Sequence, residues 1–494
     1  MDIDQDFARA FPELSVPHAA LKPPQPAIAR LNDELAADLG LGPEHLRSTD
    51  GIRFLTGQGP LEESDSFGPV AQAYSGHQFG QFSPLLGDGR ALLLGSVPAA
   101  GRAPATAQHP SALCPARLDI HLKGSGPTPF SRGGDGRGPL GPMLREYVIG
   151  EALHHLGIPT SRALAVLRTG ETVMRERPQP GGLLVRTAAS HLRVGTMQLA
   201  AQSQDDGLLR RLSEWAIDAH HPSAPDRAEE RGTSLHLELL RSVAIAQADL
   251  IAQWMSVGFI HGVMNTDNMT LSGQSIDFGP CAFLDDYRAG AVFSSIDHQG
   301  RYAYGNQPAI GQWNLARLGE CLLPLIDEDP NAAVEAATGV LGEYADRFQQ
   351  QRTRLFAAKL GLRLPGEADG DLLEPVAEFV DQTLRQMEEQ GEDFTVFFRR
   401  FHRTDSQRRE ELQQFADRSG LDVDGSLADQ VNPVVIARNG HLQRALNAAE
   451  TGDQLQLEDL LRALASPFES LPGLEHLSTP GAEDGAGFRT FCGT

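Results

Sequence analysis

The chain carries two short polar segments close together, His261-Gly262-Val263-Met264-Asn265-Thr266-Asp267-Asn268 and Ile276-Asp277-Phe278-Gly279. An apolar stripe at helical spacing, residues 243–255, precedes the first segment. Asn268 and Asp277 offer the hard oxygen ligands that Mg²⁺ takes when it is bound together with phosphates. We therefore predict a buried helix that leads into a metal-binding pair of loops. The alternative is a tight turn over 270–276 whose polar ends only cap it.

The spacing within these segments matches the catalytic loop of protein kinases except at one position. In the pattern H-R-D-x-x-x-x-N, the catalytic Asp lies five positions before the metal-binding Asn. The corresponding position before Asn268 is Val263, which cannot accept a proton. The segments therefore indicate either a nucleotide-binding protein without catalysis or different chemistry on a kinase scaffold. Asp267 is the nearest carboxylate that could serve as the base, and its alternative role is that of a metal-bridging residue.

A lysine and a glutamate upstream fit the same chemistry. Alternating apolar residues over 118–122 predict a strand that ends at Lys123, one of three lysines in the chain. A helix is predicted over 143–156, and Glu146 lies near its start. We predict that Lys123 reaches nucleotide phosphates and that Glu146 holds it by an ion pair. The alternative is a surface lysine and a solvated glutamate.

Two further segments could contact phosphate. Gly87-Asp88-Gly89-Arg90 joins the apolar runs 82–86 and 91–94 and predicts a hairpin, whose turn amides could face phosphate or form a plain turn. Arg186 and Arg193 could bind phosphate bidentately or be solvated. Spacing alone assigns no role to Asp135-Gly136.

Composition excludes several classes of protein. The net charge of −23 over 494 residues argues against nucleic-acid binding, which needs clustered cations. No apolar run is long enough to span a bilayer, and the acidic N-terminus is unlike a targeting presequence. We therefore expect a cytoplasmic protein without membrane contact. The acidic composition with only three lysines indicates a bacterial source. The four cysteines contain no CxxC pair, which disfavours a zinc site.

Several longer segments together resemble one protein family. They are Tyr74-Ser75-Gly76-His77-Gln78-Phe79-Gly80, Leu86-Gly87-Asp88-Gly89-Arg90-Ala91, Leu122-Lys123-Gly124-Ser125-Gly126-Pro127-Thr128-Pro129-Phe130-Ser131-Arg132, His261 to Met269, Tyr304-Gly305-Asn306-Gln307-Pro308 and Asn432-Pro433. Over nearly the whole chain, this pattern is similar to the selenoprotein O family, also called YdiU.

The resemblance implies an α+β fold of the protein-kinase-like, pseudokinase type, with a strand-rich N-lobe, a helical C-lobe and extensions at both ends. On this basis we predict an N-terminal extension over 1–72 that packs on the core and an N-lobe over 73–190 with the nucleotide-binding hairpin. The C-lobe is predicted over 191–440 and a C-terminal extension with a cysteine tail over 441–494.

The resemblance also implies an activity. Family members bind ATP in an inverted orientation and transfer AMP to Ser, Thr or Tyr hydroxyls of proteins, so that pyrophosphate leaves. We expect protein substrates that include the chain itself, and a monomer. The alternatives are phosphotransfer by a protein or small-molecule kinase, transfer of UMP, and nucleotide binding without catalysis.

Site roles follow from the resemblance in the same way. It implies that Lys123 contacts phosphate and pairs with Glu146, that Asn268 and Asp277 bind Mg²⁺ (or Mn²⁺), and that Asp267 is the proton acceptor. The other implied nucleotide contacts are Gly87, Gly89 and Arg90 from the hairpin, Asp135 and Gly136 near the relocated nucleoside, and Arg186 and Arg193 in the phosphate pocket.

The C-terminal tail resembles the family in part. Members carry a selenocysteine or cysteine near the C-terminus, and Cys492 stands there. Some relatives regulate activity by a disulfide to this residue, which would make Cys281 a candidate partner. The alternative, which we favour, is a free thiol.

Overall fold

The computed structural model describes residues 3–59, 68–99, 116–205, 207–366, 370–404, 406–481 and 488–490. It has a mixed α/β architecture, with an antiparallel sheet in the first part of the chain and helices in the second. This agrees with the predicted α+β class. The predicted domain boundaries remain predictions. Among the described residues, no helix combines the length and the apolar character that crossing a membrane requires.

The first part of the chain is rich in strands. Its strands are β1 (Ser15–Pro17), β2 (Ala27–Leu31), β3 (Val70–Gln72), β4 (Gly76–Gln78), β5 (Gln81–Ser83), β6 (Ala91–Pro98), β7 (Arg117–Lys123), β8 (Gly138–Pro139), β9 (Arg162–Met174) and β10 (Pro178–Ala188). Its helices are α1 (Asp6–Ala10), α2 (Asp33–Asp38), α3 (Pro43–Leu46), α4 (Thr49–Leu55) and α5 (Leu140–His155), with a 3₁₀ turn at Pro12–Leu14.

The second part is mainly helical. Its helices are α6 (Val194–Ala201), α7 (Leu208–His220), α8 (Ala224–Arg231), α9 (Leu235–Ser256), α10 (Gln307–Ile326), α11 (Pro330–Lys359), α12 (Gly370–Gln390), α13 (Phe394–Thr404), α14 (Ser406–Ser419), α15 (Gly425–Val431), α16 (Asn439–Glu450) and α17 (Leu455–Leu464). Short strands are β11 (Phe259–Ile260), β12 (Ala282–Phe283), β13 (Leu362–Arg363) and β14 (Asp422–Val423), and 3₁₀ turns lie at Tyr304–Asn306 and Glu475–Ser478.

The sheet is buried on both faces. Its strand order is β1-β3-β6-β7-β10-β9-β2, with β8 beside β10. In β6, Leu92 and Leu94 pack with α2 and α4, whereas Leu93 belongs to the cluster that includes α5. This alternation follows from the two-residue period of a strand. Burying each leucine stabilises the fold by about 1.5–3 kcal/mol relative to leaving it exposed.

The strand and helix predicted around the lysine and glutamate are confirmed. The predicted strand over 118–122 is β7, which ends at Lys123, and the predicted helix over 143–156 is α5. Arg186 lies opposite His121 in the pairing of β10 with β7. Since His121 and Lys123 are two positions apart, all three residues share the face of the sheet that α5 covers.

The prediction of a hairpin around Gly87–Arg90 is wrong. The run 91–94 lies in β6, which pairs with β3 and β7, and residues 84–90 form no strand. The backbone amide of Asp88 instead donates to the carbonyl of Gln72 at 2.9 Å. The Asp-Gly signal located the turn, but the partners of β6 were decided by segments distant in sequence.

The two polar segments are brought together by a short antiparallel pair. Helix α9 ends at Ser256, and Gly258 has a positive φ of 73° that redirects the chain into β11. In β11, Phe259 pairs with Phe283 of β12. The loop after β11 therefore lies beside the loop that precedes β12.

Candidate active site

His261 fixes the two loops to each other. The buried imidazole Nε2 lies 2.8 Å from the carbonyl oxygen of Ile276, directly before Asp277. The amide of His261 donates to Oε1 of Gln307 at 3.0 Å. Burial lowers the pKa of His261. This histidine therefore has a structural role.

Val263 is buried at the position that a kinase base would occupy. Its carbonyl accepts a hydrogen bond of 3.0 Å from Nδ2 of Asn268. That bond orients the Asn268 amide and leaves its Oδ1 available as a ligand. The side chain of Val263 offers no group for proton transfer.

Four charged side chains form the centre of the site. Nζ of Lys123 donates to Oε2 of Glu146 at 2.6 Å and also to Oδ1 of Asp277. Nη1 of Arg186 lies 3.1 Å from Oε1 of Glu146 and 3.0 Å from Oδ1 of Asp277. The predicted pair of Lys123 and Glu146 is therefore present in the structure. Two cations and two carboxylates compensate one another, which buried charges require.

The pKa of Asp277 follows from these contacts. Burial raises it, but the charges of Lys123, Arg186 and Arg193 outweigh burial and hold the pKa well below its usual range. Asp277 also has a positive φ of 63°, which is uncommon for a residue other than glycine. The neighbouring cations therefore favour the ionised form of Asp277, and its hydrogen bonds to Lys123 and Arg186 orient the side chain.

Arg193 belongs to a neighbouring buried cluster that includes a residue the sequence prediction missed. Nη1 of Arg193 lies 3.4 Å from Oδ1 of Asp88, and its guanidinium stacks 4.3 Å from the ring centroid of Tyr74. Oδ2 of Asp88 lies 3.1 Å from Nε2 of His121. Nη2 of Arg186 lies 3.3 Å from Nδ1 of the same imidazole. Asp88 and His121 therefore link the two predicted phosphate-binding arginines.

The charge state of Asp88 is also set by its neighbours. Burial raises its pKa, and the closeness of His121 and Arg193 lowers it further than burial raises it. The Gly-Asp-Gly-Arg segment was the only sequence signal for this residue. Its role depends on a histidine 33 positions away and an arginine 105 positions away.

The turn that contains Gly87, Gly89 and Arg90 packs against the loop after β7. Gly87 has a φ of 74°, and a Cβ there would lie 2.3 Å from the ring of Phe130. The carbonyl of Arg90 accepts a hydrogen bond of 2.8 Å from the amide of Gly124. Glycine is therefore required at position 87 both for the backbone and for space.

Asp135 and Gly136 lie in the same loop after β7. Asp135 accepts hydrogen bonds of 2.9 and 3.0 Å from Arg175. This arginine lowers the pKa of Asp135. The carbonyl of Gly136 accepts from the amide of Gly126 at 3.1 Å. Within the described residues, neither makes a hydrogen bond or ion pair with Lys123, so their predicted nucleoside contacts remain predictions.

Asp267 lies beside the hairpin formed by β4 and β5, which contacts its loop. Its Oδ2 accepts a hydrogen bond of 3.0 Å from Nε2 of Gln78. Its Oδ1 is shielded from solvent and has no hydrogen-bond partner among the described residues. Burial raises the pKa of Asp267, whereas Gln78 and Arg193 oppose that rise. A carboxylate with one free oxygen has the chemistry of a base, as predicted for this residue.

The donor set at Asn268 and Asp277 fits a hard divalent cation. Both side chains carry an oxygen acceptor, and Asp277 is ionised. In the part of the chain that the structure describes, no cluster of three or more His, Cys, Asp or Glu residues could hold a metal ion. Two protein ligands are enough for Mg²⁺ when phosphates and water complete its shell.

The end of the described chain lies beside Cys281. Oγ1 of Thr490 donates to the carbonyl of Pro280 at 2.7 Å. The Cys281 thiol is buried, and burial raises its pKa to about 12. Cys492 lies outside the described residues, so both the disulfide to Cys281 and the free thiol remain predictions.

Comparison with known proteins gives one consistent result. A family model described as Protein adenylyltransferase SelO matches residues 12–432. The chain is 47% identical over 506 residues to Protein nucleotidyltransferase YdiU of Mycobacterium sp. (strain KMS), covering 100% of this chain and 99% of the relative. It is 48% identical over 497 residues to the protein of the same name from Mycolicibacterium smegmatis, covering 99% and 97%. A third relative of that name, from Rhizobium leguminosarum bv. trifolii, is 46% identical over 493 residues, covering 95% and 93%. These matches confirm the resemblance, and the chain belongs to the SelO family.

Proposed function

We propose that this chain is a protein adenylyltransferase, which transfers AMP from ATP to Ser, Thr or Tyr hydroxyls, including its own, and releases pyrophosphate. The observation that carries the proposal is Val263, which stands at the base position of a kinase-like loop. Lys123 at the end of β7 and Asp277 are both retained, and they contact each other. Such a site keeps its phosphate and metal ligands while losing the base for γ-phosphoryl transfer. The names of the relatives, which are nucleotidyltransferases, support the same reaction.

We further propose a protein-kinase-like, two-lobed arrangement. Strands β7 and β10 supply Lys123 and Arg186, whereas loops after α9 supply Asn268 and Asp277. The two sources meet at the central charges. ATP would bind there in the inverted orientation, with its α-phosphate toward Asp267.

In this reaction, Asp267 takes the proton of the acceptor hydroxyl. The hydroxyl oxygen forms a bond to the α-phosphorus, and the bond between that phosphorus and the oxygen bridging to the β-phosphate breaks. Pyrophosphate leaves with the electron pair of that bond. Lys123, Arg186 and Arg193 stabilise the negative charge that builds up on the phosphate oxygens.

Asn268 and Asp277 would hold Mg²⁺, or Mn²⁺, together with the phosphates. The ion would supply further charge compensation at the phosphate oxygens. Lys123 and Arg186 orient the Asp277 carboxylate through their hydrogen bonds to its Oδ1. The second oxygen of Asp277 is the one that these contacts leave for a metal.

Labelling with ATP distinguishes this proposal from the alternatives. The chain is incubated with ATP carrying label at the α- or the γ-phosphate, with UTP in a parallel reaction and with casein as an added acceptor. We expect protein-bound label only from the α-position and a mass increase of one AMP. Label from γ alone would indicate a kinase, and preference for UTP would indicate UMP transfer.

Two variants serve as matched controls. Asp277→Ala should abolish labelling, since it removes a metal ligand. Asp286→Ala changes an exposed aspartate nine positions later and should label as the wild type does. Absence of α-label in the wild type with ATP bound would overturn the proposal in favour of binding without catalysis.

A further inference from the structure

The hairpin of β4 and β5 is fastened to the loop that carries Asp267. The amide of His77 donates to Oγ1 of Thr266 at 2.7 Å, and the amide of Phe79 donates to Oδ1 of Asn265 at 3.1 Å. Phe79 adopts a positive φ of 51°, which is uncommon for an aromatic residue. The residue between these two anchors is Gln78. Its backbone position is therefore fixed from both sides.

The side chain of Gln78 makes a directed contact with Asp267. Its Nε2 donates to Oδ2 of Asp267 over 3.0 Å, across 189 positions of sequence. The amide of Gln78 presents its NH₂ group to Asp267, with Nε2 as the donor and the carboxylate oxygen as the acceptor. The contact ties one oxygen of Asp267 to the hairpin.

The other oxygen of Asp267 is left without a partner. Oδ1 is shielded from solvent and receives no hydrogen bond from any residue that the structure describes. A buried acceptor without a partner costs about 1–3 kcal/mol, so it calls for an explanation. In a site that transfers a nucleotide to a hydroxyl, the missing donor is the acceptor hydroxyl itself.

We propose that Gln78 is a positioning residue for nucleotide transfer, which holds Oδ2 of Asp267 so that Oδ1 faces the acceptor hydroxyl. The proposal rests on the proposed function. Without Gln78, the carboxylate could rotate about its last side-chain bond, and the base would lose its alignment with the hydroxyl. Alignment of this kind contributes strongly to rate because reacting atoms must meet at about 3–3.5 Å.

The test uses two substitutions on the same hairpin. Gln78→Glu keeps the size of the side chain but replaces the donor with an acceptor and places a charge beside Asp267. Gln81→Glu adds the same charge to the residue paired with Gln78 across the hairpin, where the side chain is exposed. The assay measures AMP incorporation from α-labelled ATP into casein and into the chain itself, together with the ATP Kd and the melting temperature.

We expect Gln78→Glu to reduce kcat by on the order of 10²-fold or more, within the range that general bases contribute. The ATP Kd and the melting temperature should stay close to those of the wild type. Gln81→Glu should match the wild type in all three measurements. A Gln78→Glu variant with wild-type kcat would overturn the proposal. So would an equal loss of ATP binding and of stability, since that indicates a merely structural role.

A double-mutant cycle measures whether the effect of Gln78 on the rate depends on Asp267. In the Asp267→Asn background, adding Gln78→Glu should cause no further loss of rate if Gln78 acts only through that carboxylate. Additive losses would contradict the proposal. If the wild type incorporates no α-label at all, the proposed function fails, whereas normal wild-type labelling with an active Gln78→Glu variant rejects only the role of Gln78.

Discussion

The buried ammonium groups of Lys123 and Lys359 have different neighbours to compensate their charge. Lys123 has two carboxylate partners, Glu146 and Asp277. Lys359 is buried more deeply, at 3% exposure against 8% for Lys123. Among the described residues, the groups that its ammonium faces are the rings of Phe394 and Phe398, whose centroids lie 5.3 and 4.6 Å away. Rings favour a cation by about 0.5–2 kcal/mol, which is less than a paired carboxylate provides in a buried site. The two buried lysines therefore differ in the groups that compensate their charge.

Because Lys359 is buried, we expect the stability of the folded protein to depend on pH. Burial lowers the pKa of Lys359 from 10.5 to about 7. Between these values the unfolded chain binds the extra proton, so stability rises as the pH rises from about 7 toward 10.5. Lys359→Met removes the penalty for the buried charge. We expect it to stabilise the protein by on the order of 5 kcal/mol at pH 6, a gain that disappears by pH 10.5.

Thermal unfolding at pH 6, 7.5 and 9.5 measures this effect. Lys22→Met replaces an exposed lysine and is the matched control. It should shift the melting temperature little at any pH. A gain for Lys359→Met that is the same at all three pH values would contradict the assignment, since it would reflect apolar packing alone.

At the scale of elements, the loop over 124–137 is shaped by close backbone contacts. The amide of Gly126 donates to the carbonyl of Gly136, and the hydroxyl of Ser131 donates to the carbonyl of Gly89. The loop therefore connects the turn at Gly87–Arg90 to Asp135. This connection explains why residues 48 positions apart, Gly87 and Asp135, belong to one structural unit.

We expect alanine substitutions at two glycines of this loop to have different effects on ATP binding. Gly136 has a φ of 64°, and a Cβ there would lie 2.0 Å from the carbonyl carbon of Gly126. Gly133 has a φ of 86° but no atom within 4 Å of its Cβ position. Gly136→Ala must displace the backbone at Gly126, and we expect it to weaken ATP binding at least tenfold. Gly133→Ala carries only the cost of its φ, about 1–2 kcal/mol.

Calorimetric titration with ATP compares the two variants directly. Gly133→Ala should bind within a few-fold of the wild type, because its strain is confined to one open position. Equal affinities for both variants would show that the loop geometry at Gly126 and Gly136 has no part in nucleotide binding.

At the scale of the whole molecule, one buried arginine connects distant segments of the helical part. Nη1 of Arg438 lies 2.7 Å from Oδ1 of Asp285 and 2.8 Å from Oδ2 of Asp393. Its side chain is fully buried. It therefore fastens the segment before α16 to the loop after β12 and to the start of α13.

Arg438→Met should destabilise the protein globally. It removes the cation that contacts the buried carboxylate of Asp285 and the half-buried carboxylate of Asp393. Removing one partner of a buried ion pair costs about 3–5 kcal/mol. Arg363→Met is the control, since its pair with Asp424 is largely exposed and such pairs contribute about 0–1 kcal/mol. Urea unfolding followed by circular dichroism measures both. A change below about 1 kcal/mol for Arg438→Met would contradict this account.

The sequence predicted those parts of the site whose geometry is set within a single strand, helix or loop. The alternation that ends at Lys123, the helix that carries Glu146, and the loop with Val263, Asp267 and Asn268 all follow from periods and spacings within a few residues. These features depend on the backbone geometry of one element, which a short segment specifies by itself. For the same reason the family segments were recognisable without a structure.

Contacts between distant segments could not be predicted in this way. The sequence determined the chemical groups of this protein: the cations predicted to bind phosphate, the oxygen groups predicted to bind a metal ion, and an apolar residue at the base position. Only the tertiary structure decided that Asp88 links His121 to Arg193, that β6 pairs with β3 and β7, and that Gln78 reaches Asp267. The physical reason is that a hydrogen-bond partner is selected by burial and packing of the whole chain, which no local pattern contains.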